Sequence, residues 1–534
     1  MKDSLTRPFQ STFFRMVWIA ITISNIGSWM NEIGVTWLMA TLSSSNLQIA
    51  LVQTAISLPF LLLAYPSGVL ADLFDRRRIL FIFNVVLFLS ALVLTFVAYR
   101  GNLTPFILLL LTFILNISNT IMRPAWAASV PDFVPRKDLP SAITLNTLSN
   151  NVTRAIGPAV GGYVIYMFGT TVVFAINAIS FLPMIYAAYH WKSTTTSSVS
   201  SIPVERFYGA LKSGLRYSFN SPEIRTVLVR SSVFFFFASV SWALLPVIAI
   251  RQMQVSANGF GLLMAVVGIG SIMGAILLPR CQRHLSRSGI VALASVMLSA
   301  VLFLIAFIPN PYTLFLMIVV LGVSWILSFS CLSVATQLAL PRWVLARGLG
   351  VLMVCFGGSM AVGSFLWGYL ADAYGLTVAI AIPAVGLLLS TTLTKSFHIS
   401  DEVLNLTASS NWPVLYPVDS RDHTRGPVMV SIQYSIAKAD EAEFLSLMNK
   451  SCQIRKRDGA YFWQLFNDSE NERSYSEVYM AESWLELLRQ QQRKTIDDEA
   501  IKNRLIELNK GDIRPKVTYQ MAIVNNKKPS AKLS

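Results

Sequence analysis

The sequence predicts an all-α polytopic membrane protein with a smaller α+β domain at its C-terminus. Three observations predict this class. The 534 residues are 54% hydrophobic and only 13% charged, with a mean hydropathy of +0.55, which is more apolar than an ordinary soluble domain. Long apolar runs extend from Arg15 to Lys395 and are broken by short charged loops. After Ser396 the chain becomes polar, so we place a domain boundary there.

A helix that crosses a bilayer needs about 20 mainly apolar residues. Twelve segments meet this requirement: 16–41, 47–71, 79–99, 104–127, 141–166, 170–190, 228–250, 259–279, 289–308, 312–338, 348–370 and 376–395. The first follows Lys2, Arg7 and Arg15 as in a signal peptide, but it continues to about Leu42 without a small-residue cleavage site. We therefore interpret it as an uncleaved span.

Basic residues alternate between the two sides of these spans. The even-numbered loops carry clusters such as residues 76–78, whereas the opposite loops carry only Arg100 and Arg251. Because cytoplasmic loops are enriched in Lys and Arg, both termini are predicted to be cytoplasmic. This distribution also accounts for the net charge of +15, so we expect a lipid bilayer around the chain and no nucleic-acid partner.

The membrane region contains an internal repeat at a constant offset of 206 residues. Gly68 pairs with Gly274, and residues 157–169 pair with residues 363–375. Two parallel repeats of six helices are the architecture of major facilitator transporters, in which substrate binds between the halves. The predicted organisation is an N-terminal half (1–192), a cytoplasmic linker (193–227), a C-terminal half (228–395), a second linker (396–426), a soluble domain (427–526) and a tail (527–534).

The loop after the second span resembles the signature loop of the major facilitator superfamily. The matching positions are Gly68, Asp72, Arg76, Arg77 and Arg78. Leu73 and Asp75 depart from the pattern, because they replace a basic residue and a glycine. The resemblance implies a cytoplasmic gating loop, and an ordinary positively charged loop is the alternative.

A similar sequence, Gly368-Tyr-Leu-Ala-Asp372, ends the eleventh span. The repeat aligns it with the end of the fifth span, and the predicted topology puts it on the outer side. We therefore expect no gating role for Asp372.

The fifth span contains Gly157-Pro158-Ala-Val-Gly161-Gly162, which resembles the glycine-proline motif of the superfamily's antiporters, a mark of export. Small residues allow close helix contact, and a proline can bend a helix. Thr153 replaces an earlier glycine of the full pattern. The resemblance implies an antiporter-like hinge at Gly157, Pro158, Gly161 and Gly162. A glycine-rich packing helix is the alternative.

Three ionisable residues stand out within predicted spans, where a charge costs about 2.5–3.5 kcal/mol and is functional by default. They are Glu32, Arg123 and Arg154 in the first, fourth and fifth spans. Polar residues near them or on the same helical faces are expected to line a central cavity: Asn25, Asn31, Asn116, Asn119, Asn146 and Asn150. We predict proton coupling at Glu32, with Arg154 and Arg123 as charge partners or substrate sensors. A structural Glu–Arg pair joining the first and fifth spans is the alternative.

The polar C-terminal region alternates between strand-like and helix-like segments. Strands are predicted over 428–436, 460–466, 474–480 and 517–524, and helices over 440–457 and 484–508. This β-α-β-β-α-β order is typical of the ferredoxin-like fold. The four cysteines lack a Cys-x-x-Cys spacing, and we predict neither a metal nor a cofactor.

Several stretches make the chain resemble the transmembrane secretion effector group, which includes enterobactin exporter-like proteins. These stretches are residues 25–30, 123–126, 151–158, 457–463 and 482–490. The extra domain resembles the antibiotic-biosynthesis monooxygenase fold, which implies dimerisation through its sheet. Leu487 replaces a histidine of that pattern, so we expect no enzyme activity.

The resemblance implies an inner-membrane exporter that works by alternating access. Its substrate would be a drug, a siderophore or another small metabolite, and protons would be the coupling ion. Two alternatives remain open. One is a membrane-anchored regulatory or metabolite-sensing protein that acts through the soluble domain, and the other is an importer.

Overall fold

The computed structural model describes residues 7–135, 138–191, 207–341, 343–401, 405–407, 425–510 and 515–522, except the side chains of residues 72, 73 and 207. The chain divides into two compact units. The first consists of Met1–Leu211, Thr226–Thr336 and Leu349–Asp401, and the second of Lys212–Arg225, Gln337–Gly348 and Glu402–Ser534. Most of the predicted linker 396–426 and all of the predicted tail 527–534 lie outside the described residues.

Helices make up nearly all of the described chain up to residue 401. They are α1 (Thr12–Leu42), α2 (Asn46–Leu73), α3 (Arg76–Tyr99), α4 (Pro105–Phe133), α5 (Leu139–Phe168), α6 (Thr170–Ser180), α7 (Leu182–His190), α8 (Phe207–Asn220), α9 (Pro222–Pro246), α10 (Ala257–His284), α11 (Arg287–Phe307), α12 (Pro311–Leu338), α13 (Leu345–Tyr374), α14 (Leu376–Ser390) and α15 (Leu393–Ser396). A π-helical turn, Val247–Gln252, continues α9, where Pro246 cannot donate a backbone hydrogen bond.

Ten helical segments of the described chain are long and apolar enough to cross a membrane, with α6–α7 and α14–α15 each forming one segment. Two more helices, α1 and α5, have 31 and 30 residues. A helix of that length extends about 45 Å, which exceeds the hydrocarbon thickness of about 30 Å. They are not among the ten apolar segments, and they carry Glu32 and Arg154.

The first unit is built by close packing among these helices. α1 packs against α5 and α6, α2 packs against α4, and α5 packs against α10. The 206-residue repeat is visible in the backbone, because Gly169 between α5 and α6 has a φ of +82° and Gly375 between α13 and α14 has a φ of +87°. Glycine adopts positive φ without a steric penalty, so both halves make this turn with the same residue at matching positions.

One helix lies where a linker is predicted. α8 occupies residues 207–220 within the predicted 193–227 linker. Ala210, Ser213 and Tyr217 are buried and recur at spacings of three and four, which places them on one helical face. The segment is too short and too polar to resemble a span, so the hydropathy pattern missed it.

The soluble part of the second unit is a four-stranded antiparallel sheet with helices. Its elements are β1 (Val428–Ser435), α16 (Glu441–Asp458), β2 (Phe462–Asn467), β3 (Ser474–Ala481), α17 (Trp484–Gln492), α18 (Ile496–Leu508) and β4 (Lys516–Met521). The strand order is β2-β3-β1-β4. The single helix predicted over 484–508 is two helices, because Thr495 and Asp498 form a capping box that starts α18.

A buried ion pair crosses the core of this sheet. The Glu477 carboxylate is fully buried and accepts hydrogen bonds from Arg455 Nε at 3.1 Å, Trp463 Nε1 at 2.9 Å and Ser451 Oγ at 3.0 Å. Burial alone would raise the pKa of Glu477, but Arg455 and these donors outweigh it and hold the pKa below its ordinary value. This contribution to stability is present above the unfolded pKa and is lost as the pH falls through the lowered one.

We expect Glu477→Ala to destabilise the soluble domain by about 3–5 kcal/mol, because Arg455 then stays buried without its carboxylate. Hydrogen–deuterium exchange of the full-length protein measures this as faster exchange in β1 and β3. Glu507→Ala is the matched control, since its side chain is 63% exposed and should change little. Wild-type exchange rates in the Glu477 variant would contradict the structural role of the pair.

Candidate functional site

Glu32 lies in a small cavity formed by helices of both predicted halves. The side chains that line it are Trp29, Glu32, Ile33, Arg154, Pro158, Trp242, Met264 and Val267. They come from α1 and α5 of the N-terminal half and from α9 and α10 of the C-terminal half. Its volume of about 20 Å³ has room for a water molecule and not for a drug-sized ligand.

The guanidinium group of Arg154 lies between two indole rings. Its central carbon is 5.6 Å from the centre of the Trp29 ring and 5.8 Å from that of the Trp242 ring. Both distances suit cation–π attraction, which is worth about 2 kcal/mol when the cation is desolvated. Trp29 belongs to α1 and Trp242 to α9, so one cation is attracted to both halves. The Arg154 Nε and the Trp242 Nε1 are buried without a hydrogen-bond partner among the described residues.

Glu32 makes no direct ion pair within the described residues, since no arginine or lysine nitrogen there lies within 4.0 Å of its carboxylate. Arg154 and Arg123 are nevertheless close enough to attract it electrostatically. The Arg123 side chain is exposed, and its guanidinium carbon lies 5.2 Å from the centre of the Phe60 ring. The carboxylate is therefore influenced by two cations and bonded to neither.

The predicted cavity asparagines are only partly brought together. Asn25 Nδ2 donates to Asn150 Oδ1 at 3.0 Å, which connects α1 to α5. Asn116 Nδ2 donates to the backbone of its own helix, and Asn119 is half-buried. The side-chain oxygens of two others, Asn31 and Asn146, are buried and accept no hydrogen bond from any residue that the structure describes.

The glycine-proline segment of α5 lies at two tight helix contacts. A Cβ at Gly157 would lie 2.6 Å from the Trp29 Cβ, and one at Gly161 would lie 3.0 Å from the Met30 Cα. A Cβ at Gly162 would lie 2.7 Å from the Gly261 Cα of α10. A larger residue at any of these positions would force the contacting helix to shift. Pro158 is buried between these glycines, so α5 contacts both halves through this segment.

The predicted gating loop binds its own half. Arg76 Nη1 donates to the Ala128 carbonyl at 2.7 Å and lies 3.5 Å from the Asp132 carboxylate. Arg77 donates to two carbonyls of α7, and Arg78 lies 4.0 Å from Asp75. Within the part of the chain that the structure describes, a Cβ at Gly68 would meet no atom within 4 Å. The Asp72 side chain lies outside the described residues.

Two residues without a predicted site role make polar contacts between the halves. The Asp372 carboxylate of α13 accepts from the backbone N–H groups of Asn46 at 2.7 Å and Leu47 at 3.1 Å, and from the Ser45 hydroxyl. Arg251 donates to the Ser44 carbonyl at 2.6 Å, to Asn46 Oδ1 at 2.9 Å and to the Ser43 carbonyl. The sequence gives no gating role to Asp372, and the structure shows that its carboxylate contacts the N-terminal half.

The second unit joins the soluble domain to α8 and to residues 337–348. Glu486 Oε1 accepts from Arg216 Nη2 of α8 and from Arg493 Nη1, both at 2.8 Å. Lys212 of α8 also pairs with a carboxylate of the soluble domain. The guanidinium carbon of Arg493 lies 4.6 Å from the centre of the Trp343 ring. Among the described residues, no group of three His, Cys, Asp or Glu side chains could hold a metal ion.

Similarity to known proteins covers most of the chain. A family described as transmembrane secretion effector matches residues 3–528. The staphyloferrin A transporter of Staphylococcus aureus (strain NCTC 8325 / PS 47) is 23% identical over 385 residues, which are 71% of this chain and 94% of that protein. The multidrug efflux pump Tap of Mycolicibacterium fortuitum is 22% identical over 372 residues, which are 68% and 90% of the two chains.

Solved transporter structures share the fold. A POT family transporter in complex with a thioalcohol-conjugated peptide superposes with a TM-score of 0.60 at 11% identity, covering 72% of this chain and 95% of that one. At this level of identity the likeness concerns the fold alone.

Proposed function

Because the chain belongs to the transmembrane secretion effector family of major facilitator transporters, we propose that it exports a small molecule by alternating access coupled to proton entry. One observation carries this proposal. Glu32 lies in a cavity lined by both halves, beside an arginine that is attracted to an indole of each half. A change of charge at Glu32 therefore acts where the two halves meet.

The proposed coupling follows from the electrostatics of this cavity. An ionised Glu32 attracts Arg154 and Arg123, and a protonated Glu32 does not. Burying a carboxylate without a bonded partner is costly, so closure of the cavity favours the neutral form and opening to water favours the charged form. A proton taken up on one side is then released on the other, and the attraction of Glu32 for Arg154 changes with it.

The small size of the cavity implies that the two halves must separate before substrate can bind there. It holds about one water molecule in this state, so substrate needs the halves to separate around it. The unpartnered Arg154 Nε and Trp242 Nε1 are hydrogen-bond donors that an acceptor group of a substrate could satisfy. Alternating access requires such a site to be accessible from one side at a time.

We also propose the finer architecture. α1 and α5 are the two spans that complete a set of twelve, since each is long enough to cross the bilayer and carries an intramembrane charge. The loop charges favour cytoplasmic termini in the inner membrane. We assign the soluble domain to the ferredoxin-like fold, because its element order and its β2-β3-β1-β4 strand order support it. We propose no catalytic role for it, since Leu487 is a buried core residue.

Transport into inside-out membrane vesicles tests the function. The probes are staphyloferrin A and a panel of drugs, because one relative is named a staphyloferrin A transporter and another a multidrug efflux pump. We expect faster uptake when the vesicle interior is acidic, since protons then leave as substrate enters. Uptake only into right-side-out vesicles would indicate an importer instead.

A regulatory role of the soluble domain is the second candidate, and the contact network of the second unit favours it. The domain binds α8 through Arg216 and Glu486, and α8 leads into α9 after one residue. Deleting residues 427–534 distinguishes the two candidates. Retained efflux favours a transporter with an accessory domain, whereas loss of function in a protein with intact helices favours a sensor.

Dimerisation through the soluble domain is a further part of the proposal. Trp463 points into the core, so Phe462 and Phe466 of the same strand point to the opposite face of the sheet, where they are 39% and 50% exposed. We expect Phe466→Asp to convert a dimer to a monomer, because a charge at a buried apolar contact is strongly unfavourable. Light scattering of the purified protein after size exclusion measures the mass.

Leu445→Asp provides the matched control for this prediction. Leu445 is 40% exposed but lies on α16 rather than on the open face of the sheet. It should leave the mass unchanged. A wild-type protein that is monomeric at all concentrations would contradict the proposed dimer.

A further inference from the structure

Two copies of one short sequence lie at opposite ends of a helix pair. Gly68-Val-Leu-Ala-Asp72 ends α2, and Gly368-Tyr-Leu-Ala-Asp372 lies near the end of α13. These helices run antiparallel, because a Cβ at Gly350 would meet Tyr65 and one at Gly368 would meet Ala50. Each copy therefore lies near the N-terminus of the other helix.

The two copies are engaged differently in this structure. At the predicted outer end, a Cβ at Gly368 would lie 2.5 Å from the Ala50 Cβ, whereas a Cβ at Gly68 would meet no atom of the described residues within 4 Å. Asp372 caps the N-terminus of α2 through two backbone N–H groups and the Ser45 hydroxyl. A carboxylate at this position satisfies orphan donors and interacts favourably with the helix dipole. The cap and the helix belong to different halves.

Arg251 complements this cap at the preceding turn. It donates to the carbonyl groups of Ser43 and Ser44, which are acceptors at the end of α1. The connection between α1 and α2 thus donates hydrogen bonds to the Asp372 carboxylate and accepts hydrogen bonds from the Arg251 guanidinium. Both of these residues belong to the C-terminal half. Such charge-assisted hydrogen bonds are the stronger class.

We propose that Asp372 and Arg251 form the outer latch of the transporter, which stabilises the state closed to the outside and must break for substrate to leave. The proposal rests on the proposed function, because a latch matters only if the halves move. Both are positioning residues that act on the loop between α1 and α2. Their contacts join residues more than 200 positions apart, so separating the halves at this end breaks all of them together.

Spin-label distances test the latch without any substrate. The four cysteines are replaced by serine, and labels are placed at Asn102→Cys and Tyr312→Cys, which are exposed residues at the predicted outer ends of the two halves. We expect Asp372→Asn and Arg251→Met each to raise the population of long distances by about tenfold or more, since the loss of a charge-assisted hydrogen bond suffices for that factor.

Asp401→Asn is the matched control, because Asp401 lies 3.9 Å from Arg287 at the start of α11, on the predicted cytoplasmic side. It should leave the outer distances unchanged. Wild-type distances in folded Asp372→Asn and Arg251→Met proteins would overturn the latch. If Asp372→Asn does not fold, the distances in Arg251→Met alone test the latch. If the variants change the distances but the wild type transports nothing in vesicles, the latch is retained and the proposed function is refuted. If the wild type shows proton-driven transport but the variants keep wild-type distances, the proposed function is retained and the latch is refuted.

Discussion

Replacing Glu32 with glutamine should abolish the accumulation of substrate against its gradient while the protein remains folded. With one proton exchanged per substrate, a pH difference of one unit supplies about 1.4 kcal/mol, which sustains a concentration ratio of about ten. Glutamine is nearly the same size but cannot release a proton, so the variant should only equilibrate substrate. Uptake into vesicles with and without a pH gradient measures this ratio.

The control for this prediction is a carboxylate outside the cavity. Asp401→Asn removes an acid that accepts a hydrogen bond from the Arg287 backbone at 3.0 Å, far along the chain from Glu32. It should accumulate substrate as the wild type does. If Glu32→Gln also accumulates substrate tenfold under the same gradient, the proton carrier is another group.

Replacing Arg154 should have the second-largest effect on transport. A double variant with Glu32 then distinguishes a role in transport from a structural role. Arg154→Gln removes the cation between the Trp29 and Trp242 rings and one of the two cations that attract Glu32. We expect transport to fall by about tenfold or more, since a desolvated cation–π contact contributes about 2 kcal/mol. Initial uptake rates at matched expression measure the loss.

The combined variant Glu32→Gln with Arg154→Gln separates a transport role from a structural pair. If the two residues only hold α1 against α5, neutralising both should restore function, because removing a whole buried pair is far less costly than removing one partner. We expect no restoration of proton-driven accumulation. Recovery to wild-type uptake would support the structural alternative.

The positions of the helices could be predicted from the sequence because apolar length and loop charge are local signals. The predicted spans agree with the helices to within six residues at each end, for example 47–71 with Asn46–Leu73. Hydropathy also has a limit. α8 was missed because a short amphipathic helix has no apolar run, and the break between α17 and α18 depends on a cap at Thr495.

The site could be predicted only in part, because its geometry depends on residues distant in the sequence. Intramembrane charge singles out Glu32 and Arg154 individually, and the structure puts both in one cavity. Trp242 could not be identified in advance, since an indole in a span is usually a packing residue. The contacts of Asp372 with the N-terminus of α2 could not be predicted, because its partners are more than 320 residues away. The glycine-aspartate sequence that it shares with residues 68–72 was the available signal.

The most direct test of proton-coupled export is proton movement driven by substrate in sealed proteoliposomes. A pH-sensitive dye inside the vesicles reports proton flux while a substrate gradient is imposed and no pH gradient is present. Proton-coupled export predicts that substrate entering the vesicles drives protons out in the wild type and that Glu32→Gln shows no proton flux. Substrate transport by the wild type without any proton flux, or proton flux that persists in Glu32→Gln, would contradict it.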